Sequence, residues 1–432
     1  MSLTITNIRY GGYFHGMTVV SDAPVGLAGD KLSFNRYVQP LISVLTDPEQ
    51  ETPFTIGVFG PWGSGKSSLL QMLDDTVKKD YAKQFVRVWF NPWVYRGESN
   101  LLVPLLHTLR DSLELDKRFI ASAKKIGEIL FRLGSDALLR TATADAVSLE
   151  KLEKLEKQYV EQHSIVESTM RNLRKILQAE VNEICGAGDG TKLLLMVDDL
   201  DRCDPDQIVA LLDSIKLFLD LEHVFVILAV DREVVHRGIQ VRYDKFQFAA
   251  GRDQIVGYEY LDKMVQLPVE LFPLSGGQIK ELAKVIIPGD EPANARVRNL
   301  IGQVALPNPR KIKRLLNIFA VVRALMLGDV DLAELDQLMV LRLIALQVQY
   351  PDLYWEIVRM PAGLEVLEKS YAGPFRDADF QVYGKLQEPL KELCKKYYQP
   401  GSALMNIFAG SDFVGAKALL PQYLSMIGGI RG

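Results

Sequence analysis

The sequence predicts an α/β fold: a doubly wound, mainly parallel sheet with a helical insertion in mid-chain and a helical C-terminal region. Three observations carry that prediction. Short, continuous apolar runs alternate with helix-like segments, a strand-poor stretch occupies roughly residues 116–185, and β-rich runs cease after Pro273. A strand that is apolar at every position must be covered on both faces, which is the situation of a parallel sheet flanked by helices.

The elements follow in order. TIGVF, Thr55 to Phe59, is a short β-rich run; a Gly-rich turn and the helix-spaced SLLQMLDDTVKK come after it. FVRVWF, Phe85 to Phe90, reads as a second strand, turned by NPW into the helix-like LLVPLLHTLRDSL. LLLMV, Leu193 to Val197, and VFVILAV, Val224 to Val230, complete the set, each ending in an acid. In the insertion, Leu152, Tyr159, Val166 and Leu173 fall seven apart, with Leu149, Met170, Leu177 and Ile184 at the complementary heptad position. Such a stripe either packs on the domain's own helices or forms a partner or self-association surface. Beyond Pro273, GGQIKELAKVIIP, ARVRNLIGQVAL, PRKIKRLLNIFAVVRALML and VDLAELDQLMVLRLIALQVQ all read as amphipathic helices. The stretch from about Pro351 onward shows no interpretable chemical motif.

Composition narrows the function classes. The 432 residues, 48% hydrophobic and 24% charged, describe a globular chain long enough for two or three domains. Fifty Lys and Arg against 54 Asp and Glu leave a formal net charge of −4, without the global positive field of a nucleic-acid coat protein. Cys185, Cys203 and Cys394 are scattered and support neither a disulfide framework nor a C-x-x-C metal site, so a cytoplasmic location is expected. The N-terminal MSLTITNIRYGGYFHGMTVV has no basic region leading into an apolar one, and alternates like strands, so export is not expected. No uncharged run of about 18 residues predicts a membrane span. His15, His107, His163, His223 and His236 share no metal-ligand spacing.

The chemistry concentrates in two places. Gly60-Pro61-Trp62-Gly63-Ser64-Gly65-Lys66-Ser67 satisfies G-x-x-x-x-G-K-S/T directly after a strand and directly before a helix. The glycines let the backbone curl so that N–H groups converge on phosphate oxygens, and the helix presents its positive dipole end to the same anion. Residues 60–68, Ser68 included, are therefore the expected nucleotide cradle, with Lys66 on the β- and γ-phosphates and the Ser67 hydroxyl on Mg2+. The run Leu193 to Val197 ends in Asp198 and Asp199, the acid-ended strand that such a loop requires. Asp198 is expected to hold Mg2+ through its water shell, and Asp199 to orient the water that attacks the γ-phosphate. ATP and Mg2+ are the ligands this reading expects, and the α/β class narrows to a P-loop NTPase with the insertion between its Walker A and Walker B motifs.

Four ordered motifs together carry a resemblance: F-G-P-W-G-S-G-K-S-S, V-W-F-N-P-W at Val88 to Trp93, V-D-D-L-D-R-C at Val197 to Cys203, and N-P-R-K-I-K-R at Asn308 to Arg314. In these the sequence resembles the KAP family of P-loop NTPases over roughly Leu27 to Ala320. The resemblance implies an additional-strand ATPase related to AAA+ and STAND proteins, in a family tied to phage exclusion in bacteria and to signalling scaffolds in animals. Many members carry transmembrane helices between the Walker motifs; here charged helices fill that place. The implied organisation is a strand-like extension over 1–26, a KAP-type core over 27–273, a helical lid over 274–330 and a mostly helical region over 331–432. It also implies an oligomeric ATP-driven switch in antiviral defence with a separate effector protein. The alternatives are a signalling scaffold with little turnover and a nucleic-acid-stimulated ATPase.

Further candidates are less specific. Asp231 ends the apolar strand where such ATPases place a polar sensor, or it simply caps the strand end. Arg296, Arg298, Arg310, Lys311, Lys313 and Arg314 form a basic run with three readings: a solvated helix face, a sensor arginine (Arg310 or Arg314), or a nucleic-acid patch. Arg202, Arg232 and Arg237 are candidates for a finger acting across a subunit boundary, although Arg202 could equally pair with Asp201 or Asp204. Trp89 and Trp93 read as core packing around a turn, or as shaping the nucleotide site. Residues 30–34 are where related ATPases cover the adenine.

Overall fold

In a computed structural model describing residues 19–98, 101–113, 171, 174–183, 185, 190–216, 220–243, 260–328, 336–373 and 376–428, the apolar runs become the strands of one sheet. These are β1 (Phe54–Phe59), β2 (Phe85–Phe90), β3 (Lys192–Val197) and β4 (Val224–Val230), joined by β5 (Leu267–Glu270). The order is β2-β3-β4-β1-β5 and every pairing is parallel. β4 therefore lies between β1 and β3, the arrangement implied by an additional-strand ATPase.

Burial follows position in the sheet. β4, central, is buried at all seven positions, whereas β5, at an edge, alternates half-buried with exposed residues. That alternation, with Pro268 in a strand of only four residues, is why β5 produces no continuous apolar run and is not foreseen from the sequence. Helices α1 (Asn35–Thr46), α2 (Lys66–Asp80), α3 (Leu102–Leu113), α4 (Pro205–Ile215) and α5 (Arg232–Tyr243) supply the apolar residues that accompany the sheet. Asp204 and Gln207 form a capping box that starts α4, which sets where the chain after β3 stops turning and becomes helical. Of the heptad residues in the insertion, Leu177 is described and is buried in the same cluster as β3 and β4; the others lie outside the described residues.

The chain divides into two units. One comprises Pro24–Gly29 and Phe34–Phe272; the other takes the described residues up to Ala23, Asp30–Ser33, and the chain from Pro273 onward. In the second, α6 (Gly276–Ala283), α7 (Pro292–Val304), α8 (Pro309–Gly328) and α9 (Gln337–Gln349) share one apolar cluster with the tail residues Tyr423 and Ile427. The helix expected from Val330 begins at Gln337, capped by Asp336, whose Oδ1 accepts the Leu338 N–H at 2.8 Å. Residues 329–335 lie outside the described residues. Among the described residues no helix is long and apolar enough to cross a membrane.

Arg342, 7% exposed, donates from that cluster to the carbonyls of Asn406, Ile407 and Ala409. Replacing it by leucine keeps apolar volume but strands the buried Ile407 carbonyl and removes the donor to the part-buried carbonyls of Asn406 and Ala409. Arg342→Leu should therefore lower the stability of this unit by about 2–4 kcal/mol, read from the urea midpoint. An unchanged midpoint would refute the assignment.

Candidate functional site

The loop after β1 is tight enough to exclude side chains. Gly65 precedes α2 with φ of 104°, and a Cβ there would lie 2.7 Å from the Phe34 ring. A Cβ on Gly60 would stand 2.6 Å from Ser64 Oγ. The Ser64 N–H closes the turn onto the Pro61 carbonyl at 3.0 Å. Ser64 Oγ is itself buried without a hydrogen-bond partner among the described residues, an orphaned donor inside the curl. A backbone cradle at a helix N-terminus with an unsatisfied hydroxyl fits an oxyanion.

Lys66, the first residue of α2, is nearly buried. Its Nζ donates to the Gly60 carbonyl at 2.8 Å and lies 3.2 Å from Asp201 Oδ2. Ser67 next to it donates its hydroxyl to Asp198. Ser68 turns its side chain elsewhere: its Oγ accepts the Val25 N–H at 3.2 Å and ties Val25 to the start of α2.

The carboxylates arrive from the end of β3. Asp198 is 4% exposed and accepts the Asp199 N–H at 2.9 Å. Burial, then the Asp199 charge, push its carboxyl up to about 6; hydrogen bonds from Ser67 and the Asp199 N–H pull the other way, and the Asp201 charge adds a smaller upward push. Asp199 turns the chain with φ of 60°, a left-handed conformation that aspartate tolerates better than most residues. The Asn91 amide donates to its Oδ2 at 3.0 Å, while Arg202 Nε stands 2.8 Å from Oδ1. Asn91 is itself oriented, since its Oδ1 accepts the Trp93 N–H and caps the turn Pro92–Tyr95.

Arg202 thus pairs with Asp199, not with Asp201 or Asp204 as its neighbours suggested. Its guanidinium lies 5.4 Å from the Trp93 ring centroid and 5.9 Å from that of Trp62. Trp93, 37% exposed, and Trp62, 63% exposed, are therefore not core residues; the packing expected of Trp93 is corrected because the turn carries it out past the sheet onto two arginines, Arg202 and Arg96.

Asp231, at the end of β4, caps α5: its Oδ1 accepts the Glu233 N–H at 3.1 Å, and its own N–H donates to Asp201 Oδ2 at 3.0 Å. Arg232 stacks on Phe59 and pairs with Glu270, and Arg237 pairs with Glu233 on its own helix. The geometry so brings Lys66, Ser67, Asp198, Asp199 and Asp231 together around the ends of β1, β3 and β4. Two participants were not singled out by sequence reasoning, Asn91 and Asp201; the signals were the N of N-P-W and the second acid of D-D-L-D.

Arg310 and Arg314 belong to the other unit. Arg310 Nε stands 3.7 Å from Asp22 Oδ2, Lys313 donates to the Ser21 carbonyl at 2.9 Å, and Arg314 is exposed. Arg298 leaves the basic run altogether, being buried and bonded to the Ile287 and Gly289 carbonyls.

Mg2+ takes oxygen ligands and usually needs only one or two from the protein besides phosphate and water. Ser67 and Asp198, hydrogen-bonded beside the loop, fit that demand; among the described residues no group of three His, Cys, Asp or Glu could hold an ion alone.

Comparison with known proteins places the chain in a family. The KAP family P-loop domain matches residues 34–326. The chain is 26% identical over 321 residues to the phage T7 exclusion protein of Escherichia coli K12, covering 67% of this chain and 41% of that protein. It is 32% identical over 72 residues to the human kinase D-interacting substrate of 220 kDa, 17% of this chain and 4% of that one. The chain thus spans well under half the length of these relatives. Among solved structures, domain III of the Thermotoga maritima replication initiation protein DnaA aligns with a TM-score of 0.33 at 14% identity, over 76% of this chain and 94% of that one.

The Asp198 environment yields a pH dependence. With a native value of about 6 against an ordinary 3.8, the folded state binds this proton more tightly than the unfolded one. Its stabilising contribution is complete below about pH 4 and is lost as pH rises through about 6. In metal-free protein, Asp198→Asn should therefore gain on wild type by on the order of 3 kcal/mol between about pH 4 and 7. Parallel pH profiles of the urea midpoint would contradict the shift.

Proposed function

Since this chain belongs to the KAP family of P-loop NTPases, we propose that it binds ATP with Mg2+, hydrolyses it, and serves as an ATP-controlled switch in the exclusion of phage. The observation that carries the reading is the meeting of Lys66, Ser67, Asp198 and Asp199 beside a loop too tight for side chains. Lys66 supplies a positive charge to the phosphates, and Ser67 with Asp198 holds the metal. Mg2+, when bound, neutralises phosphate charge as it develops. Asp199 orients and deprotonates the attacking water, with Asp231 beside it at the end of β4.

The hold of Asn91 and Arg202 on Asp199 supports switching rather than steady turnover. With Asn91 on one oxygen and Arg202 on the other, Asp199 is hindered from taking up a water, so hydrolysis is slow until Arg202 is drawn away. Drawing it away falls to a second copy of the chain or to an effector protein. The likeness to the phage T7 exclusion protein supports the antiviral role. The same restraint on Asp199 favours a second reading, a scaffold that holds nucleotide with little turnover. A nucleic-acid-stimulated ATPase draws less support, because Arg298 is spent inside the helical unit and Arg310 and Lys313 are engaged by residues 21–22.

Lys66→Ala should abolish ATP binding measured by calorimetry. Asp199→Asn should bind ATP but turn it over about 10²–10⁴-fold more slowly. Wild-type protein that binds without turnover establishes the scaffold, and equal turnover in all three removes the assignment. Light scattering should show a change of assembly state between ATP-bound and nucleotide-free protein.

A further inference from the structure

Asp201 serves no step in the reading above, yet it occupies the middle of the site. Its side chain is 5% exposed. One oxygen, Oδ2, serves two donors from different elements: Lys66 Nζ at 3.2 Å, from the start of α2, and the Asp231 backbone N–H at 3.0 Å, from the end of β4. Lys66 also donates to the Gly60 carbonyl at 2.8 Å and, at the longer distance of 3.5 Å, to the Pro61 carbonyl, so its three donors are all engaged inside the protein. A phosphate oxygen that takes up Lys66 must displace one of these acceptors or share with it.

These acceptors differ in charge. The Gly60 carbonyl is neutral, whereas Asp201 is an anion held out of water, where attraction to an ammonium and repulsion of a phosphate are both felt strongly. Resting on the nucleotide-binding reading, we propose that Asp201 is a positioning residue: an internal counterion that competes with the triphosphate for Lys66 and weakens nucleotide affinity, while anchoring the end of β4. Lys66 then has two alternative anionic partners. When it turns to phosphate, Asp201 keeps only the Asp231 N–H, so the occupancy of Lys66 is felt at the residue that caps α5.

Asparagine separates the two duties. It retains an oxygen to accept the Asp231 N–H and removes the charge that competes for Lys66. For Asp201→Asn we expect the Kd for ATP with Mg2+, measured by calorimetry, to fall about tenfold. KM should fall with it while kcat changes less than about threefold, as for a change in binding shared by ground and transition states. Asp201→Glu, which restores the charge, should return the Kd toward the wild-type value. Asp201→Ser, again uncharged but still an acceptor, should tighten binding as asparagine does, and stands in should Asp201→Asn not fold.

A purely structural Asp201 predicts the opposite sign: a lower Tm with weaker binding in every variant. Wild-type protein that binds no nucleotide overturns the nucleotide reading and this inference with it. Wild type that binds, with folded Asp201→Asn or Asp201→Ser binding equally or more weakly, overturns this inference alone. A double-mutant cycle of Asp201→Asn with Lys66→Met, read by thermal unfolding without nucleotide, should show coupling between the two side chains; strict additivity would deny their contact.

Discussion

The site exists because β4 lies between β1 and β3. Neighbouring strands stand about 4.8 Å apart, so the chain leaving β1 and the chain leaving β3 are separated by about 10 Å, with the end of β4 between them. That gap sets what each side chain has to reach. A lysine on one side and a short turn carrying Asp201 on the other close it, over the backbone of Asp231. The end of β4 is held there because β4 pairs along its length with β1 on one side and β3 on the other and is buried at all seven positions. Placement of the functional groups is thus a by-product of a fully buried strand.

Charge is the second constraint. Asp198, Asp199 and Asp201 converge in a region largely withdrawn from water, and such a cluster is tolerable only if each has a donor of its own. The structure provides them separately: Ser67 for Asp198, Asn91 and Arg202 for Asp199, Lys66 for Asp201. Asp198 has neutral donors only, and burial with the neighbouring Asp199 charge pushes its carboxyl up. A divalent cation beside Ser67 would relieve that displacement, which is the electrostatic counterpart of its fit to Mg2+. Arg202, lying near the rings of Trp62 and Trp93, is held against Asp199 while leaving an exposed aromatic surface next to the loop.

Within the helical unit the basic residues sort by what they touch. Arg298 and Arg342 are buried because backbone carbonyls without helical partners need donors, and a guanidinium serves several at once. Arg310 and Lys313 engage residues 21–22, leaving Arg296, Lys311 and Arg314 exposed. Six like charges close together in sequence are therefore not one surface. Sequence spacing reports the charge, and only packing reports where it points.

Much of this was legible beforehand, and the reason is locality. A curled loop needs glycine at particular positions, and a strand buried on both faces must be apolar throughout, so Gly60, Gly65, Lys66, Ser67, Asp198 and strands β1 to β4 announce themselves in short stretches of chain. An edge strand such as β5 carries half that signal, and it went unseen. The sequence by itself determined the loop, the acid-ended strand and their class of fold. Only the tertiary structure decided that Asp201 belongs to Lys66, that Arg202 and Asn91 belong to Asp199, and that Arg298 belongs to the core. A side chain's partner depends on which distant segment the sheet order brings alongside, and no local pattern encodes that.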